Sequence, residues 1–182
     1  MTANYSTLAA PAIITVVGFS NSGKTTLIEK LLPELKRRGL KVGTIKHAHH
    51  GFSIDREGKD SWRHQQAGAD MVAVAGPEKT AMIIHSPLGR LADMRRWMTG
   101  MDLIIAEGWK SERMPKIEVL RSAVHANPLF LEDPDLFALV TDVDLAAHAT
   151  DRFQVFGLED IPSLADLIVA RFLTPRPDAA KS

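Results

Sequence analysis

Residues 18–25 read Gly-Phe-Ser-Asn-Ser-Gly-Lys-Thr and satisfy G-x-x-x-x-G-K-[ST] in full. Residues of these types at this spacing bind phosphate. Gly18 and Gly23 let the backbone turn sharply, so that consecutive N–H groups converge as a nest around phosphate oxygens. The loop then hands the anion to a helix N-terminus, where unpaired N–H groups and the helix dipole favour negative charge. Lys24 is expected to reach the β- and γ-phosphates, and the Thr25 hydroxyl to ligate Mg²⁺. Asn21, Ser22 and Thr26 complete the set of expected nucleotide-binding positions in and beside this loop.

Such a loop works only between a strand and a helix. Ile13–Val17 before it is an apolar, β-branched run, and Thr26–Arg38 after it carries Leu27, Ile28, Leu31, Leu32 and Leu35 at helical spacing. Pro33 should bend that helix, and Gly39 should end it after a basic last turn. Further strands are expected at Val42–Lys46, Leu103–Ala106, Lys116–Leu120, Phe137–Val140 and Phe153–Phe156. Met71–Ala75 and Thr80–His85 read as a hairpin through Gly76-Pro77-Glu78-Lys79. Helices are expected at Asp60–Ala67, Leu88–Met98 and Ile161–Leu173. This alternation predicts an α/β fold with a mainly parallel sheet and an added antiparallel hairpin. The expected organisation is a disordered N-terminus over 1–11, a single nucleotide-binding domain over 12–173, and a flexible tail over 174–182.

Ligands of open α/β sheets bind at the carboxyl ends of strands, so polar residues there are the candidates. Asp102 and Glu107 stand at opposite ends of one strand, roughly 16 Å apart at about 3.3 Å per residue, and cannot share an ion. Glu107, at the carboxyl end, is placed to hold Mg²⁺ or its water, while Asp102 reads as a strand-entry residue. Lys24 and Glu107 are the candidates for a catalytic role, none being assigned. Asp55, in the loop after the second strand, could face the metal or the γ-phosphate, or be an exposed loop acid. Lys46 could add positive charge near the phosphates. His47, His49 and His50 raise the question of a transition-metal site, but the spacing has no clear fourth ligand and the chain has no cysteine. Thr141-Asp142 ends a later strand; Asp142 could accept hydrogen bonds from a guanine edge or cap its strand.

The bulk composition is neutral on most other questions. Basic and acidic residues balance at 22 each, so overall electrostatics favours neither nucleic acid nor an anionic membrane as partner. No apolar run is long enough to span a membrane, residues 1–12 hold no Lys or Arg and read as no secretory signal, and the cytoplasm is the expected compartment.

The chain resembles the molybdopterin-guanine dinucleotide biosynthesis adapter (protein B) family. The resemblance rests on G-x-x-N-S-G-K-T-T at 18–26, T-I-K-H-x-H-H at 44–50, D-x-x-G-K-D-S at 55–61, A-E-G-W-K at 106–110 and T-D at 141–142. It departs at 64–66, where His64-Gln65-Gln66 stands in an R-x-x-G-A pattern, and in a longer polar N-terminus. It implies a three-layer P-loop NTPase fold and a homodimer that binds GTP with Mg²⁺ and hydrolyses it slowly. It also implies a molybdenum-cofactor guanylyltransferase as partner, with molybdopterin as a further candidate contact. Carried over by position, Gly23, Lys24, Thr25 and Thr26 would hold phosphates and metal, Glu107 and Asp55 would serve the metal, and Asp142 would face guanine. Two other functions compete with this one: a small-molecule kinase of related architecture, and a GTP-linked metal-delivery protein using the histidine cluster.

Overall fold

Strands buried on both faces read as continuous aliphatic runs, and several segments of this chain have that character. In the computed structural model, which describes residues 10–48, 51–85, 89–125, 127–129, 131–145 and 152–173, they form one six-stranded sheet. Its strands are β1 (Ala12–Val17), β2 (Val42–Lys46), β5 (Leu103–Glu107), β6 (Lys116–Leu120), β7 (Leu136–Thr141) and β8 (Gln154–Gly157). The order is β2-β5-β1-β6-β7-β8, with every pairing parallel. The connections leaving β1 and β5 run to opposite sides of β1, so the carboxyl end of β1 is a switch point at which a crevice opens.

Helix α1 (Lys24–Arg37) buries Leu27, Ile28, Leu31 and Leu35, and α3 (Ile161–Phe172) buries Ile161, Leu164, Ala165 and Ile168. Both pack on one face of the sheet against Ile14, Val16, Ile105, Ile117 and Val119. Pro33 lies within α1, which continues through it to Arg37. Gly39, at φ +80°, ends the helix: its N–H donates to Lys36 O (2.9 Å) and that of Leu40 to Leu35 O (3.3 Å), the paired bonds of a left-handed C-terminal cap.

The other face is covered differently. Ile13, Ile104, Ala106 and Trp109 pack against Leu91, and Leu120, Leu136 and Leu139 against Phe153. The helix expected over 88–98 is instead a 3₁₀ segment, Leu91–Trp97, with Leu91 its one buried residue; Leu88 lies outside the described residues. One buried anchor is too narrow a stripe to stabilise several α-helical turns, and short 3₁₀ pieces are the usual result. Lys116 is buried on this side; its ammonium donates to Glu112 O (2.6 Å) and lies 3.2 Å from Asp133, so the charge is compensated where it is desolvated.

Residues 48–90 form a compact unit apart from that built by Met1–His47 and Leu91–Ser182. It contains α2 (Asp60–Gln66), β3 (Met71–Ala75) and β4 (Thr80–Ile84). The expected hairpin is present and antiparallel, with Met71 opposite Ile84 and Gly76 N–H bonded to Lys79 O at 2.9 Å. It is a sheet of its own rather than an added edge of the main sheet. Its exposed apolar side chains, Met71, Val74 and Met82, fit a strand pair that is not buried on both faces.

Leu31, fully buried where α1 meets the sheet, tests this packing. Leu31→Ala should lower unfolding free energy by about 2–5 kcal/mol in urea titration with an unchanged slope.

Candidate functional site

Strand β1 ends at Val17, and the backbone then turns away through Gly18 at φ +138°. A Cβ at Gly18 would stand 2.4 Å from the carbonyl oxygen of Val119 on β6, so the loop can lie this close to the sheet only with glycine there. Asn21 (φ 60°) and Gly23 (φ 93°) are also left-handed. Gly23 occupies the N-cap of α1, where it has no side chain to satisfy the first N–H groups, and the first turn has no acid. The helix therefore presents an uncapped, electropositive end to the loop.

The Lys24 ammonium folds back onto the loop, donating to Phe19 O at 2.5 Å and Gly18 O at 3.4 Å. Burial holds it below the ordinary lysine range; the Glu107 charge opposes that shift, while Lys110 and Lys46 add repulsion. Lys24 thus has one carboxylate and two further ammonium ions as its charged neighbours. An arriving phosphate would relieve their repulsion and supply the acceptors now borrowed from loop carbonyls.

Glu107 closes β5, in register with Val16 on β1 and Lys46 on β2. The Thr25 hydroxyl lies 3.0 and 3.1 Å from its two carboxylate oxygens, and Lys46 Nζ is 3.4 Å from one of them. Thr25 and Glu107, predicted as metal ligands, are therefore brought together, and Lys46 joins them. Their hydroxyl and carboxylate oxygens are the hard donors Mg²⁺ takes. Among the described residues no group of three or more His, Cys, Asp or Glu could hold a metal by itself.

After Glu107 the chain turns through Gly108 (φ 91°) and Trp109 (φ 59°). A tryptophan in this region is a genuine outlier, held here because the indole is buried and stacked on the His47 ring at 4.7 Å. The turn delivers Lys110, whose ammonium lies 5.7 Å from the Phe19 ring centroid, and Phe19 in turn stacks on His125 at 4.2 Å.

On the opposite flank, Asp142 follows β7. One of its oxygens accepts the Ser122 N–H at 2.7 Å and the other the Arg121 Nε–H at 3.1 Å. The Ser122 N–H, with Arg121, holds its carboxyl below the usual range against a smaller opposing effect of burial. Asp102 sits at the opposite end of β5 from Glu107, where it accepts the Lys41 N–H at 2.7 Å.

A family profile described as "Molybdopterin guanine dinucleotide synthesis protein B", MobB, matches residues 13–142. The chain belongs to the MobB family. It is 39% identical over 161 residues to a Haemophilus influenzae molybdopterin-guanine dinucleotide biosynthesis adapter protein, covering 86% of each chain. Over 163 residues it is 33% identical to an Escherichia coli protein of the same name, covering 86% of this chain and 91% of the other. The crystal structure of Bacillus subtilis MobB matches with a TM-score of 0.66 and 29% identity, covering 90% of this chain and 99% of that one. The expected α/β architecture, a mainly parallel sheet with an antiparallel pair, is thus the MobB fold.

The MobB match runs from β1 to Asp142 and so contains every candidate residue named from the sequence. Asp55 stands in the second compact unit, where its carboxylate accepts from Ser61 (3.1 Å), Gln65 (2.7 Å) and the Arg56 N–H (2.8 Å). His49 and His50 lie outside the described residues, and His47 packs on Trp109. Sequence reasoning gave no role to Lys110 or Arg121. Lys110 lay within the A-E-G-W-K pattern, whereas nothing local marks Arg121.

Gly18→Ala adds both a clash and a left-handed strain, whereas Gly39→Ala, at φ +80° with open space around it, adds strain alone. Gly18→Ala should cost about 1–3 kcal/mol more than Gly39→Ala in chemical denaturation, the usual price of overpacking.

Proposed function

We propose that this chain is a GTP-binding adapter of molybdopterin guanine dinucleotide synthesis, with slow GTP hydrolysis. The observation that carries the nucleotide reading is the Thr25–Glu107 pair, set beside Lys24 at the mouth of an uncapped helix. Gly18, Asn21, Ser22, Gly23 and Thr26 would line the phosphates with backbone and hydroxyl donors. Thr25 and Glu107 would hold Mg²⁺, which when bound neutralises phosphate charge. Lys24, Lys46 and Lys110 would balance the remaining charge.

Glu107 has a hydroxyl and the Lys46 ammonium against it and the Lys24 charge nearby, groups suited to binding charge. Slow turnover follows, and the output of binding would be a complex: with the guanylyltransferase that joins GMP to molybdopterin, and with molybdopterin within reach of it. The names of the relatives, which call them adapters in this biosynthesis, support that reading. A homodimer is proposed with it, and the exposed Met71 and Met82, on one face of the hairpin, are the apolar surface a second copy could cover.

Isothermal titration of GTP with Mg²⁺ tests the nucleotide reading. The wild-type chain should bind GTP, lose affinity on chelation, and lose about ten- to a hundredfold in Lys24→Ala, the worth of one charged hydrogen bond. Equal affinity in Lys24→Ala would place the ligand elsewhere. Light scattering on the eluting protein should give twice the 20.0 kDa chain mass, and Met82→Glu should shift it to the single-chain value.

A further inference from the structure

Strand β1 has β5 on one side and β6 on the other, so the loop that leaves it has two flanks. Glu107, Thr25 and Lys46 occupy the β5 flank. The first residue after β6 is Arg121, and its Nη1 lies 3.8 Å from the position a Cβ would take at Gly23. The guanidinium is therefore against the second glycine of the phosphate loop.

It is also held there. Nε donates to one oxygen of Asp142 at 3.1 Å, and the other oxygen of Asp142 accepts the Ser122 N–H at 2.7 Å. Asp142 thus grips both the side chain of Arg121 and the backbone next to it, using Nε and leaving Nη1 beside the loop. Arg121 lines a cleft with Ser22, Gly23, Thr26, Lys30 and Leu158. Within it Ser22 is 2% exposed, and its Oγ has no hydrogen-bond partner among the described residues. A buried hydroxyl without a partner beside a positioned cation is a place for an anionic ligand.

We propose that Arg121 is a nucleotide-binding residue that donates to the α-phosphate from the β6 flank, and that Asp142 is the positioning residue that aims it. This rests on the nucleotide reading above. The β- and γ-phosphates belong with the hydroxyl, carboxylate and lysines of the β5 flank. The nucleoside end then falls on the β6 flank, where Val119, Val140 and Leu158 give the cleft apolar walls. Of the two Asp142 oxygens expected at a guanine edge, one accepts from Arg121 and the other from the Ser122 N–H.

The test is titration of the full chain with GTP, GDP and ATP in Mg²⁺, for wild type, Arg121→Ala, Arg121→Lys, Asp142→Asn and the double variant Arg121→Ala/Asp142→Asn. Thermal melts confirm that each variant is folded. Arg121→Ala should weaken GTP and GDP by the same factor, about ten- to a hundredfold. Lysine should restore part of the loss, since it keeps the charge without the fork. Asp142→Asn should weaken GTP and ATP equally, and should add nothing in the Arg121→Ala background. A loss confined to GTP would make Arg121 a γ-phosphate ligand and overturn the proposal. So would a GTP:ATP ratio that moves in Asp142→Asn, which would make Asp142 a reader of the base. If Lys24→Ala loses binding and Arg121→Ala does not, the proposal alone fails. If the wild type binds no nucleotide, the reading of the loop fails with it.

Discussion

The parallel pairing of β1 with β5 and with β6 sets the height of each group around the phosphate loop. Val16 stands opposite Glu107, and Lys46 stands opposite the same residue from β2. Because parallel ladders bring strand ends to a common level, a carboxylate from one strand and an ammonium from another meet above the loop. On the other side Val17 pairs with Glu118, which brings the carbonyl of the next residue, Val119, against Gly18. A register slip of one residue would turn every one of these side chains to the wrong face.

Charge balance around the loop follows from that geometry. Lys24 has Glu107, Lys46 and Lys110 as charged neighbours, and burial together with repulsion from the two lysines holds it below its ordinary range against the pull of Glu107. An excess of cations in a partly desolvated place costs free energy unless an anion joins them. Under the proposed reading, a phosphate arriving among these charges would be the anion that offsets the cost. The Lys116 cluster, at the other end of β6, is the contrast: its ammonium already has a carboxylate at 3.2 Å and carbonyls to accept from it, and it serves packing.

Strain at the site is carried by packing behind it. Trp109 adopts a left-handed conformation because its indole is buried with Ile13, Ile104, Ala106 and Leu91. That turn brings Lys110 to Phe19 on the loop, linking the second core cluster to the phosphate site through a few residues. Backbone conformations of this kind persist where the surroundings over-determine them, commonly at functional sites.

Local chemistry made the conformation of the loop legible: Gly18, Gly23, Lys24 and Thr25 stand at fixed offsets on one turn, and the left-handed glycines follow from their spacing. The same holds for the strands, whose aliphatic runs are long enough to be buried, and for Glu107, whose place at a strand end follows from where the run stops. Asp142 was legible as a strand-end acid, but what it faces was not. Its partner Arg121 is 21 residues away in sequence, and only the pairing of β6 with β7 brings the two together. The 3₁₀ segment escaped for a related reason, since its conformation depends on how much of it the sheet covers. The hairpin was readable as a hairpin, because its turn is local, while its separation from the main sheet was decided by burial. Sequence determined the groups that act within one turn of chain; tertiary structure decided the pairs that act across strands, because contacts between distant residues leave no periodicity to read.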